Sequence, residues 1–263
     1  MAFGKNNYGN RRNRKNDDDP NEEKSRKERR EERMHQLHDF PEEEAQEVTL
    51  VELLRRPINS YRIYFGSSHI TVHESTMIRY GMTKGSFFDK KAVQDIIVDN
   101  ERQVAYAQAI YYLSFKARTS GEVEQKLLEK ELDPQAIEET IKRLIDEKLI
   151  DDAFYAQEWT KQRVTNKKKG KVVVKQELKR KGINPELIDE ALEAIDDEDE
   201  LRSAEELAAK KWRTTKGELW ERKRKTAAFV MRRGFSSELV RRALDNVLSR
   251  EGEDAEELGT EFD

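Results

Sequence analysis

The apolar positions fall into two regimes along the chain. Between Val48 and Val98 they alternate with a period of two: Val48 and Leu50, then Tyr61, Ile63 and Phe65, then Ile70 and Val72 beyond Gly66-Ser67-Ser68. That period places one set of side chains on one face of a strand, so the stretch predicts a small sheet with a hairpin. Thr76 to Tyr80 predicts a short helix closed by Gly81. Asp89 stands where its carboxylate takes the unpaired amides of a further helix running through Val98.

From Val104 to Leu248 the spacing becomes helical and the chain repeats itself. Glu131-Leu132-Asp133-Pro134, Gly182-Ile183-Asn184-Pro185 and Gly234-Phe235-Ser236-Ser237 recur at intervals of about fifty residues. In each, one helix ends, an apolar residue tucks back, and Asp133, Asn184 or Ser236 takes the N-cap of the next helix. In two copies Pro follows, where its missing amide matters little. The stripes Ile137 with Ile141, Ile188 with Leu192 and Val240 with Leu244 match, as do Ala136, Leu187 and Leu239 one residue earlier and Leu127, Leu178 and Val230 upstream. Gly182 and Gly234 suit the left-handed residue that ends a helix, whereas Glu131 in the first copy costs on the order of 1 kcal/mol or forces a different exit. Leading helices at Val104–Ser114, Ala153–Val164 and Glu200–Trp212 complete three helices per copy.

The predicted class is therefore mainly α: three tandem three-helix repeats in an elongated, curved body without a deep pocket, preceded by a small α+β module and a disordered charged tail. The expected limits are 1–46 for the tail, 47–100 for the α+β module, 101–150, 151–197 and 198–250 for the repeats, and 251–263 for an acidic disordered end.

Composition modifies this picture at the ends. Only 35% of the 263 residues are hydrophobic against 40% charged, and the stretch up to Gln46 has almost no aliphatic residue before Met34 and Leu37. Arg11, Arg12, Arg14 and Lys15 read as a basic arm or as a solubilising tail, the second favoured because acids follow at once. His35 and His38 have nothing nearby to complete a metal site. Absent cysteine excludes disulfides, thiolate metal sites and a cysteine nucleophile. With no apolar run near the roughly 20 residues that span a bilayer, no membrane association is expected and the cytoplasm is the expected location.

Catalytic chemistry finds little support. The four histidines all lie outside the repeats, and no phosphate-binding glycine loop is present. Asp151-Asp152 and Asp196-Asp197 sit at helix starts, where capping explains them better than a metal. No catalytic residue, cofactor or metal is expected. Charge, in contrast, is segregated within a net of -4. Lys167, Lys168, Lys169 and Lys171 precede a helix that adds Lys175, Lys179, Arg180 and Lys181. Lys210, Lys211, Arg213, Lys216, Arg222, Lys223, Arg224 and Lys225 form a second cluster that continues through Arg232, Arg233, Arg241 and Arg242. Helical spacing groups Lys171, Lys175 and Lys179 on one side, beside the apolar positions, where they can face a partner; a continuous stripe of this kind suits phosphate backbones or an acidic protein surface. Trp159, Trp212, Trp220, Tyr111, Tyr112 and Phe229 are placed to stack on bases, but their spacing is that of core residues.

The segment Ala109-Ile110-Tyr111-Tyr112-Leu113-Ser114-Phe115-Lys116-Ala117-Arg118-Thr119-Ser120, with Glu122-Val123 and Lys126-Leu127, resembles the opening of the RecX family. Leu149-Ile150-Asp151-Asp152-Ala153-Phe154-Tyr155-Ala156 is similar to that family's junction between first and second repeats, and Lys181-Gly182-Ile183 and Arg232-Arg233-Gly234-Phe235-Ser236 to the ends of its later helix pairs. Tyr61-Arg62-Ile63-Tyr64-Phe65 and Tyr80-Gly81-Met82-Thr83-Lys84-Gly85 resemble its N-terminal module. Glu131 departs from the usual glycine, and the charged extension before Glu47 is longer than the family pattern. The resemblance implies a regulator of the RecA recombinase that binds the RecA filament on single-stranded DNA and limits its ATPase, strand exchange and growth. Some members also bind DNA themselves, single-stranded or double-stranded. A monomer acting by occupancy is expected, with Arg118, Lys167, Lys168, Lys169, Lys171, Lys175, Lys179, Arg180, Arg213, Lys216, Arg222, Lys223, Arg224, Lys225, Arg232 and Arg233 as the candidate partner-binding set. The alternative is a sequence-tolerant nucleic-acid-binding protein without RecA specificity. The acidic end from Glu251 to Asp263 reads as a solvated tail or, less simply, as a shield for the basic stripe.

Overall fold

The computed structural model describes residues 40–42 and 44–260, in two compact units that meet in sequence at Ile97 and Val98. Arg11, Arg12, Arg14, Lys15, His35 and His38 lie outside the described residues.

The first unit contains β1 (Gln46–Glu47), β2 (Leu50–Leu53), β3 (Ser60–Phe65), β4 (Ser68–His73), α1 (Glu74–Arg79) and β5 (Phe87–Phe88). β2, β3 and β4 form an antiparallel sheet with Val51, Ile63 and Ile70 in register, and β1 pairs with β5. The alternation read from the sequence sends Ile63, Phe65, Ile70 and Val72 into a core shared with Val48, Met82, Val93 and Ile96. Gly66, at φ 62°, makes the hairpin turn. Phe40 corrects the expected limit of the disordered tail: it is only 2% exposed, its ring edge-on to Phe65 at 5.3 Å, so core material begins before residue 46.

Asp89 caps α2 as expected, its carboxylate accepting from the Ala92 amide at 2.7 Å. That helix, however, runs unbroken over Lys90–Leu113, so the two helices expected at Asp89–Val98 and Val104–Ser114 are one. The stretch between them contains neither Pro nor Gly, and the buried Asn100 and Ala105 let the helix continue.

The second unit continues with α3 (Ser120–Glu129) and α4 (Pro134–Asp146). It then runs through α5 (Asp152–Lys161), which passes into a π-helical turn (Gln162–Asn166), α6 (Lys171–Arg180) and α7 (Pro185–Glu193). α8 (Asp197–Thr214), α9 (Leu219–Arg232) and α10 (Ser237–Thr260) follow. The three copies each build a core of their own around the fully buried Leu127, Leu178 and Val230. Their turns share one geometry: Glu131, Gly182 and Gly234 have φ of 57°, 76° and 92°. Glu131 thus accepts the left-handed conformation rather than taking another exit. Asp133, Asn184 and Ser236 cap α4, α7 and α10 by accepting from Gln135 and Ala136, Glu186 and Leu239 amides. α10 extends to Thr260, ten residues into the expected acidic tail, a Glu-rich stretch without Pro that carries the helix on despite Gly252 and Gly259. The leading position of α9 also differs, because aligning the copies on their turns makes α9, at 14 residues against 10 in α3 and α6, one turn longer at its start.

Neighbouring copies meet backbone to backbone. Gly170, the N-cap of α6, lies so close to the Gly234 turn that its amide donates to the Arg233 carbonyl at 2.9 Å, and the Val172 amide donates to the Gly234 carbonyl at 3.2 Å. One copy earlier, the hydroxyl of Thr119, the N-cap of α3, donates to the Lys181 carbonyl at 2.5 Å, while Gly121 lies against Gly182. Each copy's leading helix then supplies a carboxylate to the helix start before it: Ser120 donates its amide to Asp152 at 2.9 Å, and Lys171 donates its amide to Glu200 at 3.0 Å.

A Cβ on Gly170 would stand 2.1 Å from the Gly234 carbonyl oxygen. Gly170→Ala is therefore expected to cost about 2–4 kcal/mol by forcing the second and third copies apart. Gly85→Ala, at a positive φ with open space around it, should cost only about 1 kcal/mol; thermal unfolding of the two variants distinguishes a lost junction from a strained turn.

Candidate cationic binding surface

The basic residues separate into two populations. The first is engaged inside the fold. Lys171 pairs with Asp197 at 2.9 Å and Glu200 at 3.7 Å and donates to the Ile195 carbonyl; Lys168 pairs with Glu206 at 2.9 Å; Arg233 donates to the Lys167 carbonyl at 2.9 Å. Apart from the bond to Ile195, which lies within the second copy, these contacts tie the second copy to the third. Lys175 pairs with Asp189 at 2.5 Å, joining α6 to α7. Lys169 and Arg163 both pair with Glu177, which also accepts from the Trp159 indole at 3.1 Å. Arg118 and Lys181 share Glu122, at 3.8 and 2.8 Å, across the junction of the first two copies. Arg222 lies 3.9 Å over the Trp212 ring and donates to the Thr215 and Trp212 carbonyls, clamping the start of α9 to the end of α8. Lys171 and Lys175 thus do not present a free stripe with Lys179: spacing put them on one side of the helix, but acids from neighbouring helices meet them there.

These pairs leave a mark on proton affinity. Burial opposes the charge on Glu122, yet hydrogen bonds from Lys181 and the Thr119 amide hold its carboxyl below the ordinary value. Glu177 behaves alike, with burial outweighed by Lys169, Trp159 and Arg163. Lys181, also opposed by burial, is raised by Glu122 and Tyr155.

The second population is exposed. Lys167, Lys179, Arg213, Lys216, Lys223, Arg224 and Arg232 carry no ion pair among the described residues, and Arg180 bonds only to the Gln176 carbonyl of its own helix. Lys216, Lys223, Arg224 and Arg232 lie on α9 and the turn before it, with Arg213 at the end of α8. Trp220 is 66% exposed there, with Arg224 at 5.7 Å from its ring, and Met231 is exposed on the same helix. Lys225 pairs with Glu221 one turn away. The core spacing inferred for the aromatics holds for Trp212, which is buried, and for Trp159, Tyr112 and Phe229, which are half-buried; Trp220 and Tyr111 stay exposed. α9's extra turn is what carries Trp220 outward, and it was not legible from the repeat alignment.

The carboxylate pairs behave as caps. Asp151 accepts from the Phe154 amide and Asp196 from the Glu198 amide, while Asp152 and Asp197 serve the junctions. Sequence reasoning missed a groove of about 680 Å³ on the second copy, lined by Arg118, Phe154, Tyr155, Trp159 and the π-helical turn. An exposed Phe154 beside an α5 stripe was its only sequence signal. Among the described residues no helix is long and apolar enough to cross a membrane.

Comparison with known proteins places this architecture. Residues 105–144, 151–192 and 197–244 match the family models described as RecX first, second and third three-helix domains. The chain is similar to the regulatory protein RecX of Bacillus cytotoxicus, 30% identical over 216 residues and 80% of each chain, and to that of Bacillus thuringiensis, 30% identical over 76% of each. A crystal structure of regulatory protein RecX, 29% identical, matches 77% of this chain and all of its own with a TM-score of 0.62. That of RecX from Lactobacillus salivarius, 28% identical, matches 57% and 97% with a TM-score of 0.54.

Because Glu122 and Glu177 have lowered values, their contribution to stability is complete above the ordinary carboxylate value of about 4.3 and disappears as pH falls through the lowered ones. The raised Lys181 contributes fully below about 10.4 and loses its contribution as pH rises through its folded value. Glu122→Gln should melt several degrees below the parent chain at neutral pH, and the two should converge as pH falls below the ordinary carboxylate range and through the lowered value, a comparison that circular dichroism across an acid titration makes directly.

Proposed function

The chain belongs to the RecX family of regulatory proteins, and from that premise we propose that it regulates the RecA recombinase by binding the RecA filament on single-stranded DNA. Binding limits ATP hydrolysis, strand exchange and filament growth, and it acts by occupancy. The observation that supports this reading is the run of exposed cations from the end of α8 through α9, Arg213, Lys216, Lys223, Arg224 and Arg232, which make no ion pair among the described residues. Unpaired cations in such density raise the local concentration of phosphates or acidic side chains, and they do so without the desolvation cost that buried pairs carry. Lys167, Lys179 and Arg180 extend the exposed set onto the second copy. Lys168, Lys169, Lys171, Lys175, Arg118, Arg222 and Arg233 act at one remove, by fixing the copies that display it.

The alternative, a nucleic-acid-binding protein without RecA specificity, is favoured by the exposed Trp220 beside Arg224, a pairing suited to stacking on any base. The two readings part on dose: a filament regulator inhibits below the concentration that coats the DNA, and a plain DNA binder only at it.

Reversing Lys216, Lys223 and Arg224 to Glu should weaken inhibition of the DNA-dependent ATPase of RecA at least tenfold. The salt dependence of DNA binding should become shallower by roughly two in log-log slope, at about 0.7 per lost phosphate contact. The melting temperature should stay unchanged, whereas Lys171→Glu should lower it, since that lysine is held between Asp197 and Glu200. Full inhibition by the triple variant would remove α9 from the contact surface.

A further inference from the structure

We propose that the groove on the second copy holds a single unpaired base of a nucleic-acid strand, with Phe154 as the surface on which it stacks; this rests on the reading that the protein works on single-stranded DNA. At about 680 Å³ the groove lies in the size range of small-ligand sites, and its parts match a nucleotide one by one.

The stacking surface is Phe154, 63% exposed in the first turn of α5. Its backbone is accounted for, because the amide is capped by Asp151, but its ring takes no part in the core of the copy. The neighbouring rings are already in use: Tyr155 and Trp159 stack on each other at 5.7 Å, Arg163 covers Trp159 at 3.9 Å and Lys181 lies over both. Phe115 is equally exposed but sits edge-on to Tyr111 at 5.0 Å. Phe154 has no ring partner among the described residues.

Around it stand groups suited to a base edge and a phosphate. The π-helical turn lines the groove with Gln162 and Asn166, whose carboxamides, each both donor and acceptor, are exposed and have no hydrogen-bond partner among the described residues. Helical turns of this kind are rare and recur at functional sites. Arg118 stacks on Tyr112 at 4.2 Å, and its buried Nε–H has no partner among the described residues. Lys148 and Lys161 are exposed beside it and Asp151 and Glu158 oppose them, so the groove carries little net charge and favours a base held by stacking over a run of phosphates. An extended peptide fits less well. Its walls are mostly helices, and among the described residues no strand lines it, so it offers no sheet edge for main-chain pairing. Duplex DNA keeps its bases stacked and offers no free face.

The test is fluorescence anisotropy of a labelled eight-nucleotide oligo-dT, and of a duplex of equal length, with the full-length chain and with Phe154→Ala, Phe154→Trp and Asn166→Ala. Phe154→Ala should bind the single strand about tenfold more weakly, with unchanged melting temperature and unchanged salt slope, because stacking is lost and no charge is. Phe154→Trp should bind at least as well as the parent, Asn166→Ala a few-fold less, and the duplex should be indifferent to all three. Parent-like binding by Phe154→Ala, or no binding of oligo-dT by the parent chain, overturns the assignment. RecA ATPase assays on the same proteins keep the two readings apart. Phe154-dependent binding without RecA inhibition retains the site and removes the RecA reading; inhibition with Phe154-independent binding does the reverse.

Discussion

The contact on which the second unit depends is a backbone-to-backbone approach at glycine. Where Gly170 meets the Gly234 turn and Gly121 meets Gly182, no side chain stands between the copies, so main-chain amides and the Thr119 hydroxyl reach the carbonyls of the next turn. A turn that faces outward with a left-handed residue leaves carbonyls pointing at its neighbour, and the helix start opposite has amides to spare. The carboxylates of Asp152 and Glu200 complete the same joint from the next leading helix. Electrostatics at the junction follow from this geometry, since acids brought in to cap a helix are close enough to bind Lys171, and Lys181 reaches back to Glu122.

Much of the fold was legible because it is local. Asp133, Asn184 and Ser236 announce their helices by residue type, and the stripes beginning at Ile137, Ile188 and Val240 bury as their spacing requires. The sheet registers follow from period two in the same way. What failed to be legible was continuity: nothing between Asp89 and Ser114 interrupts a helix, and a helix with no stop signal is easily divided where a repeat boundary is expected. Phe40 was hidden for the opposite reason, as one apolar residue in a charged context whose partner, Phe65, is distant in sequence.

The cationic surface was legible as composition and illegible as geometry. A run such as Lys167 to Lys171 reads as one cluster, yet its members diverge: Lys167 is exposed, while Lys168 and Lys171 reach acids on α8 and Lys169 reaches Glu177 on α6. Those acids sit between eight and thirty-eight positions away, so no window on the sequence reveals them. In the second cluster Arg222, Lys225 and Arg233 are engaged in the same way, while Arg213, Lys216, Lys223, Arg224 and Arg232 make no ion pair among the described residues. Segregation of charge in a sequence therefore marks a region, and only the pairing of each cation tells display from construction.

The extra turn of α9 has a consequence for the joint between copies. In the first two copies the start of the middle helix is the landing place for the copy that follows; in the third, Leu219 to Arg222 fill that place, fastened by Arg222 to Trp212. The third copy, with its longer middle helix, therefore does not repeat the joint through which the first two receive their neighbours.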